Sequence, residues 1–122
     1  MTLPDGYSAA DGEAHVLTMV HNPERNRYEL HDNDRVVGSS IYGRRPSHQV
    51  VFTHTEVDAA YAGRGLAARL TRFALDDVRA NGGRIIPVCP YVTGYLRKHH
   101  EYDDIVDLPQ FRMPNERRGA TS

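Results

Sequence analysis

The sequence predicts an α+β fold: a mixed, mostly antiparallel sheet of about five strands, with a central helix after the fourth strand and a shorter helix after the fifth. Three observations carry that expectation. The run from Gln49 to Val57 is rich in Val, Phe and Thr, which favour strands. Directly after it the apolar period changes from strand-like to helical. Between the two stands a glycine-punctuated turn, Ala60-Tyr61-Ala62-Gly63-Arg64-Gly65.

The elements follow in order. Residues Met1 to Ala14 are rich in Gly, Pro, Asp and Ser and read as a flexible segment, so the folded domain is expected over residues 15–108. Val16 to Val20 reads as a short strand and His21-Asn22-Pro23 as a turn. Arg27 to His31 alternates polar and apolar positions and is followed by a turn at Asp32-Asn33-Asp34. Val36 to Tyr42 is the next β-like run, with Gly43 to Ser47 as a loop before the fourth strand. From Arg64 to Ala80, Leu66, Leu70, Phe73, Ala74 and Val78 share a helical face, while Arg69, Arg72, Asp76 and Arg79 lie largely off it. Arg72 and Asp76 can pair at i,i+4, worth about 0.2–0.5 kcal/mol. Asn81-Gly82-Gly83 is a helix stop.

Arg84 to Val88 reads as a fifth strand, placed parallel to the fourth by the crossover helix. Pro87 and Pro90 lack an N–H and cannot donate to a ladder, so this strand should part from the fourth at its exit. A second reading makes it an edge strand, where proline is harmless. Tyr91 to His99 reads as a second, shorter helix, and residues 109–122 as a polar, flexible tail.

Composition narrows the function classes. A chain of 122 residues supports one domain with a modest core. Its formal net charge of −1 gives no global attraction to nucleic acid or to an anionic membrane. No apolar run is long enough to span a bilayer, and no leader pattern opens the chain. The single cysteine, Cys89, excludes an internal disulfide framework and makes a reduced cytoplasmic setting the default expectation.

The glycine turn is the most informative stretch. A strand, a glycine turn and a helix start form an anion cradle, because the first helical N–H groups have no intrahelical partner and the macrodipole adds positive potential. Gly63 and Gly65 let a phosphate approach the backbone without meeting a Cβ. The expected phosphate contacts are the backbone from Ala62 through Gly63, Arg64, Gly65 and Leu66 to Ala67, with the Arg64 and Arg69 guanidinium groups beside it. The same arginines also read as solvated helix cations.

The segment from His54 to Tyr102, H-T-E-V-D-A-A-Y-A-G-R-G-L-A-A-R-L through V-C-P-Y-V-T-G-Y-L-R-K-H-H-E-Y, closely resembles the small, single-domain branch of the Gcn5-related N-acetyltransferases (GNAT). The other strands fit that fold without adding specificity. The resemblance implies acetyl-CoA as cosubstrate and an amine as acceptor. It puts the diphosphate on a turn of pattern (Arg/Gln)-x-x-Gly-x-(Gly/Ala), with Gly63 and Gly65 at the glycine positions and Ala60 where the family has Arg or Gln. It also implies that the pantetheine lies between splayed fourth and fifth strands. The N-terminal half is too short for the two helices that help close the acceptor pocket in larger members, so an open acceptor side is expected.

Acetyl transfer to an amine requires a deprotonated nucleophile. A lysine amine has a pKa of about 10.4, so neutralising it at pH 7 costs roughly 4.6 kcal/mol. His54 and Glu56 share a face of the fourth strand and are the candidate bases, with Glu56 favoured. They also read as an exposed pair on a sheet surface. Backbone N–H groups near Val57 could stabilise the developing oxyanion if the strands splay. The departing thiolate needs a proton, and Tyr95 falls where the resemblance places a tyrosine; core packing is the competing reading. Cys89 sits at the exit of strand five, where the thioester should rest. It reads as a transient acetyl acceptor, as a proton donor, or as a buried small hydrophobe. His99-His100 with Glu101 and Asp103 lacks zinc-type spacing, and no metal is expected.

Together these readings lead to an acetyl-CoA-dependent N-acetyltransferase acting by direct attack in a ternary complex. The alternatives are a CoA-binding or CoA-sensing protein with little turnover, and a module for another nucleotide on the same turn.

Overall fold

Hairpin chemistry builds the first four strands. β1 (Leu17–Asn22), β2 (Arg27–Asp32), β3 (Arg35–Arg45) and β4 (Gln49–Val57) pair antiparallel with their neighbours in chain order. The computed structural model describes residues 15–108; the expectations for residues 1–14 and 109–122 lie outside the described residues. Asn26 and Asn33 adopt left-handed φ of 53° and 56° in the first two turns, a conformation asparagine tolerates. β1 runs on through His21 and Asn22, which pair with Tyr28 and Arg27 where a turn was expected. β3 is longer than the expected Val36–Tyr42, because Gly43, Arg44 and Arg45 stay in the ladder opposite Val51, Val50 and Gln49. The loop there shrinks to Pro46, Ser47 and His48.

α1 (Leu66–Ala80) crosses over the sheet and returns the chain to β5 (Arg84–Pro87), parallel to β4. The helix starts at Leu66 and not at Arg64, because its N-cap, Gly65, has a left-handed φ of 72°. Its buried face is Leu66, Leu70, Thr71, Ala74, Leu75 and Val78, wider by Thr71 and Leu75 than the sequence stripe. Phe73 is half-buried, edge-on to Tyr28. Arg72 and Asp76 approach to 3.7 Å on the exposed side. Leu66, Leu70, Ala74 and Leu75 pack with Tyr28, Leu30, Phe52 and Ile85 in one core. Each fully buried large side chain there contributes about 1.5–3 kcal/mol.

A bulge in β4 decides which of its side chains face that core. Tyr42 pairs with Phe52 and Ile41 with His54, so Thr53 is an extra residue, its hydroxyl donating to the Ile41 carbonyl at 3.3 Å. Val50 and Phe52 point inward before the bulge; after it Thr55 and Val57 take the inner side, and Thr53, His54 and Glu56 are exposed.

β5 is an edge strand and it also parts from β4, so both readings of its prolines hold. Pairing runs from Gln49↔Arg84 to Phe52↔Pro87 and stops, one residue before the expected Val88. Val88 and Cys89 both donate to the Phe52 carbonyl, at 3.0 and 2.7 Å, which turns the chain away from the ladder. α2 (Pro90–Lys98) begins at once, with Pro90 in its first turn, where a missing N–H does no harm. A 3-10 turn at Ala59–Tyr61 leads into the glycine turn, and another, His100–Ile105, follows α2. Neither carries a periodic signal in the sequence. The latter buries Tyr102, whose hydroxyl donates to Asp76 at 2.5 Å.

Candidate active site

The site lies where β4 outruns β5. Residues 53–57 of β4 have no partner on β5, and the glycine turn and α1 start just beyond them. Here a cavity of about 350 Å³ is lined by Thr55, Glu56, Val57 and Tyr61, then by the backbone turn at Ala62, Gly63 and Gly65, and by the first helical residues. A second cavity, of about 370 Å³, continues between the helices and is walled by Tyr91, Tyr95, Lys98 and His99; the two share Ala68 and Tyr91.

The turn has the geometry of an anion cradle. Gly63 and Gly65 hold φ of 79° and 72°, which L side chains rarely adopt, and a Cβ on either would meet nothing within 4 Å. Conformation, and not room, therefore favours glycine there. The Arg69 N–H donates to the Gly65 carbonyl at 3.1 Å, the first turn of α1. Among the described residues no backbone carbonyl accepts from the N–H groups of Gly63 to Ala68. Gly63, Gly65, Leu66, Ala67 and Ala68 line the cavity, and the positive end of the helix macrodipole lies at this turn.

The candidate cofactor residues gather here. Ala62, Gly63, Gly65, Leu66, Ala67 and Val57 line the first cavity. Arg64 is exposed, its guanidinium 5.2 Å from the centroid of the Tyr61 ring. Arg69 is exposed one turn further along α1.

The four candidate catalytic residues do not form one cluster. His54 and Glu56 share the outer side of β4 and bond to each other, Nε2 to Oε1 at 3.1 Å, with side chains 57% and 68% exposed. Cys89 is the N-cap of α2 and is 3% exposed. Its Sγ donates to Thr55 Oγ1 at 3.6 Å, and Thr55 meets the buried Ser40 hydroxyl at 3.2 Å. Tyr95 lies further along α2 in the second cavity, its ring stacked on His99 with centroids 3.9 Å apart. Burial pushes its phenol above the usual range.

Sequence reasoning missed Ser40 on β3, and it missed Thr55, which regular alternation in β4 would have turned the other way. It missed Tyr91 as a shared wall of both cavities, and it missed the tie between Tyr61 and Asp32, whose phenol donates to the carboxylate. His100 pairs with Asp103 at 3.2 Å while His99 stacks on Tyr95, so the two histidines serve separate contacts. Among the described residues no group of three or more His, Cys, Asp or Glu is arranged to hold a metal ion. No helix among them is long and apolar enough to cross a membrane.

A family model described as GCN5-related N-acetyl-transferase matches residues 27–105, from the start of β2 to the end of the last 3-10 turn. A GCN5-like protein from Staphylococcus aureus, solved in solution by NMR, is similar with a TM-score of 0.60 at 19% identity, over 81% of this chain and 96% of that one. At that identity the likeness speaks for the fold. A ribosomal-protein-alanine N-acetyltransferase from Brucella melitensis biovar Abortus 2308 is similar at a TM-score of 0.49 and 18% identity, over 73% of this chain and 68% of that one. No curated protein matches the chain.

Proposed function

The chain belongs to the GCN5-related N-acetyltransferase family, and from that premise we propose that it transfers an acetyl group from acetyl-CoA to an amine. The observation that carries this reading is the parting of β4 from β5 at Phe52 and Pro87, beside a helix start with unpaired amides. A diphosphate fits that turn chemically: its oxygens take the N–H groups around Gly63, Gly65, Leu66 and Ala67. Each charge-assisted bond contributes about 1.5–3 kcal/mol. Arg64 on the turn and Arg69 in the first turn of α1 add two exposed cations to this end of the helix. The extended arm of the cosubstrate then follows the freed backbone of residues 53–57, with Val57 at its entry.

The amine attacks the thioester carbon directly, its nitrogen forming the new bond as the C–S bond breaks. Glu56, assisted by His54, takes the proton that the amine loses. Tyr95 returns a proton to the departing thiolate, a task open to a phenol, which is protonated at pH 7 with its ordinary pKa of about 10. Cys89 packs behind Thr55 from the side of α2, its thiol donating to the Thr55 hydroxyl. A cytoplasmic setting goes with this proposal.

Calorimetry with CoA, ATP and NAD, run beside a thioester-consumption screen over an amine panel, tests it. Binding of CoA alone, with consumption accelerated by an amine, is the expected result. Failure to bind CoA overturns the reading. CoA binding with no amine-dependent consumption would favour the sensing alternative, for which the outward, exposed His54–Glu56 pair already speaks.

A further inference from the structure

Tyr61 joins two parts of the molecule that the reaction does not otherwise connect. It closes the 3-10 turn before the glycines, is 5% exposed, and walls the cavity beside Val57, Gly63 and Leu66. Its phenol donates to Oδ2 of Asp32, at the end of β2, 29 positions earlier in the chain. Asp32 is a buried carboxylate, and the same Oδ2 meets His15 Nδ1 at 2.7 Å. Its other oxygen, Oδ1, is buried with no hydrogen-bond partner among the described residues. Arg35 donates to the Tyr61 hydroxyl at 3.3 Å, and Arg64 lies over the ring.

A buried carboxylate with one oxygen unsatisfied opposes folding unless its other contacts compensate. Here those contacts hold the residue that introduces the glycine turn. The backbone from Ala62 to Gly65 belongs to no helix or strand, and two of its residues are left-handed. Such a segment takes its position from its anchors. Leu66, 3% exposed, is the anchor on the helix side, and Tyr61 is the anchor on the sheet side.

We propose that Asp32 and Tyr61 form a latch that sets the glycine turn and Arg64 for the cosubstrate diphosphate, which makes Asp32 a positioning residue for a site it does not touch. The proposal rests on the acetyl-CoA reading above. The charge states suit a lasting bond. Hydrogen bonds from Tyr61 and His15 hold the Asp32 carboxyl below the ordinary range, and the bond to Asp32 keeps the Tyr61 phenol above its own. Arg35 is the further charge facing the pair.

Tyr61→Phe removes the hydroxyl alone, and Asp32→Asn removes the carboxylate charge. Each should weaken CoA binding about tenfold in calorimetry, the loss of roughly one charge-assisted bond. The double variant should be no weaker than Tyr61→Phe alone, because both changes act on the same link. In turnover, KM for acetyl-CoA rises while kcat at saturation is retained. In the ligand-free protein, amide exchange at Tyr61, Ala62 and Arg69, the hydrogen-bonded amides at the two ends of the turn, quickens while exchange at Leu30 and Phe52 is unchanged, which separates a loosened turn from a loosened fold. Wild-type affinity with unaltered exchange in Tyr61→Phe overturns the latch. Wild-type protein that fails to bind CoA overturns the acetyl-CoA reading instead, and the exchange arm then still decides whether the latch orders the turn.

Discussion

Cys89 and Phe52 share the last backbone hydrogen bond between the β5 segment and β4, with the Cys89 N–H 2.7 Å from the Phe52 carbonyl. Beyond that bond the strands separate, and the thiol on one side faces the Thr55 hydroxyl on the other. Burial and the bond to Thr55 speak for packing over nucleophilic attack at this thiol, and the direct attack proposed above carries an expectation. Cys89→Ala should keep kcat within about threefold, as expected when direct attack needs no acyl-enzyme. Mass spectrometry of the wild-type protein after mixing with acetyl-CoA should find no acetylated Cys89. A stable adduct there, or a collapse of kcat in the variant, would contradict this.

Gly65 is held at φ 72° with open space where a Cβ would stand. Gly65→Val should destabilise the fold by about 1–2 kcal/mol, the strain of a left-handed L residue. It should abolish CoA binding in calorimetry while circular dichroism stays native. Gly65→Asn, which tolerates that conformation, should retain a measurable part of the affinity.

The Tyr95 phenol lines the cavity between the helices, and burial pushes it above its ordinary range. Tyr95→Phe should lower kcat by a factor on the order of 10² while KM for acetyl-CoA changes little, since it removes a donor used in the transition state. Steady-state kinetics decide this. An unchanged kcat would reduce Tyr95 to packing.

Glu29 supplies a pH prediction away from the site. Burial raises its carboxyl, but hydrogen bonds from His31, Arg27 and Asn22 outweigh that and lower it from 4.5 to about 2. A lowered carboxylate stabilises the fold above its unfolded value, and that contribution fades as acid protonates it. The wild-type protein should therefore lose stability between pH 4.5 and about 2. Glu29→Gln should be less stable at pH 7 and show a flatter dependence over that interval in urea titrations. A Glu29→Gln variant with the wild-type acid slope would assign the loss to other carboxylates.

What could be read in the chain was local. The glycines at 63 and 65, the apolar stripe of the crossover helix and the prolines at the exit of strand five each act within a few residues, and each lies where expected. What could not be read depends on partners far away. Gln49 to Val57 alternates plausibly in either phase, and only pairing with Ile41 and Tyr42 leaves Thr53 over. Asp32 looks like an ordinary turn residue until Tyr61 arrives beside it. Thr71 and Leu75 are buried on α1 beyond the stripe that periodicity marks.

That surplus threonine has a consequence for how the protein tolerates change. Excising Thr53 would leave Thr55 and Val57 inside and His54 and Glu56 outside, since the residues that remain would then alternate without interruption. The register would survive while the local bend disappeared, and the path of the strand past Cys89 would change with it. Curvature could thus be removed without reshuffling a single facing side chain, so the length of this strand is as much a determinant of the cleft as its chemistry.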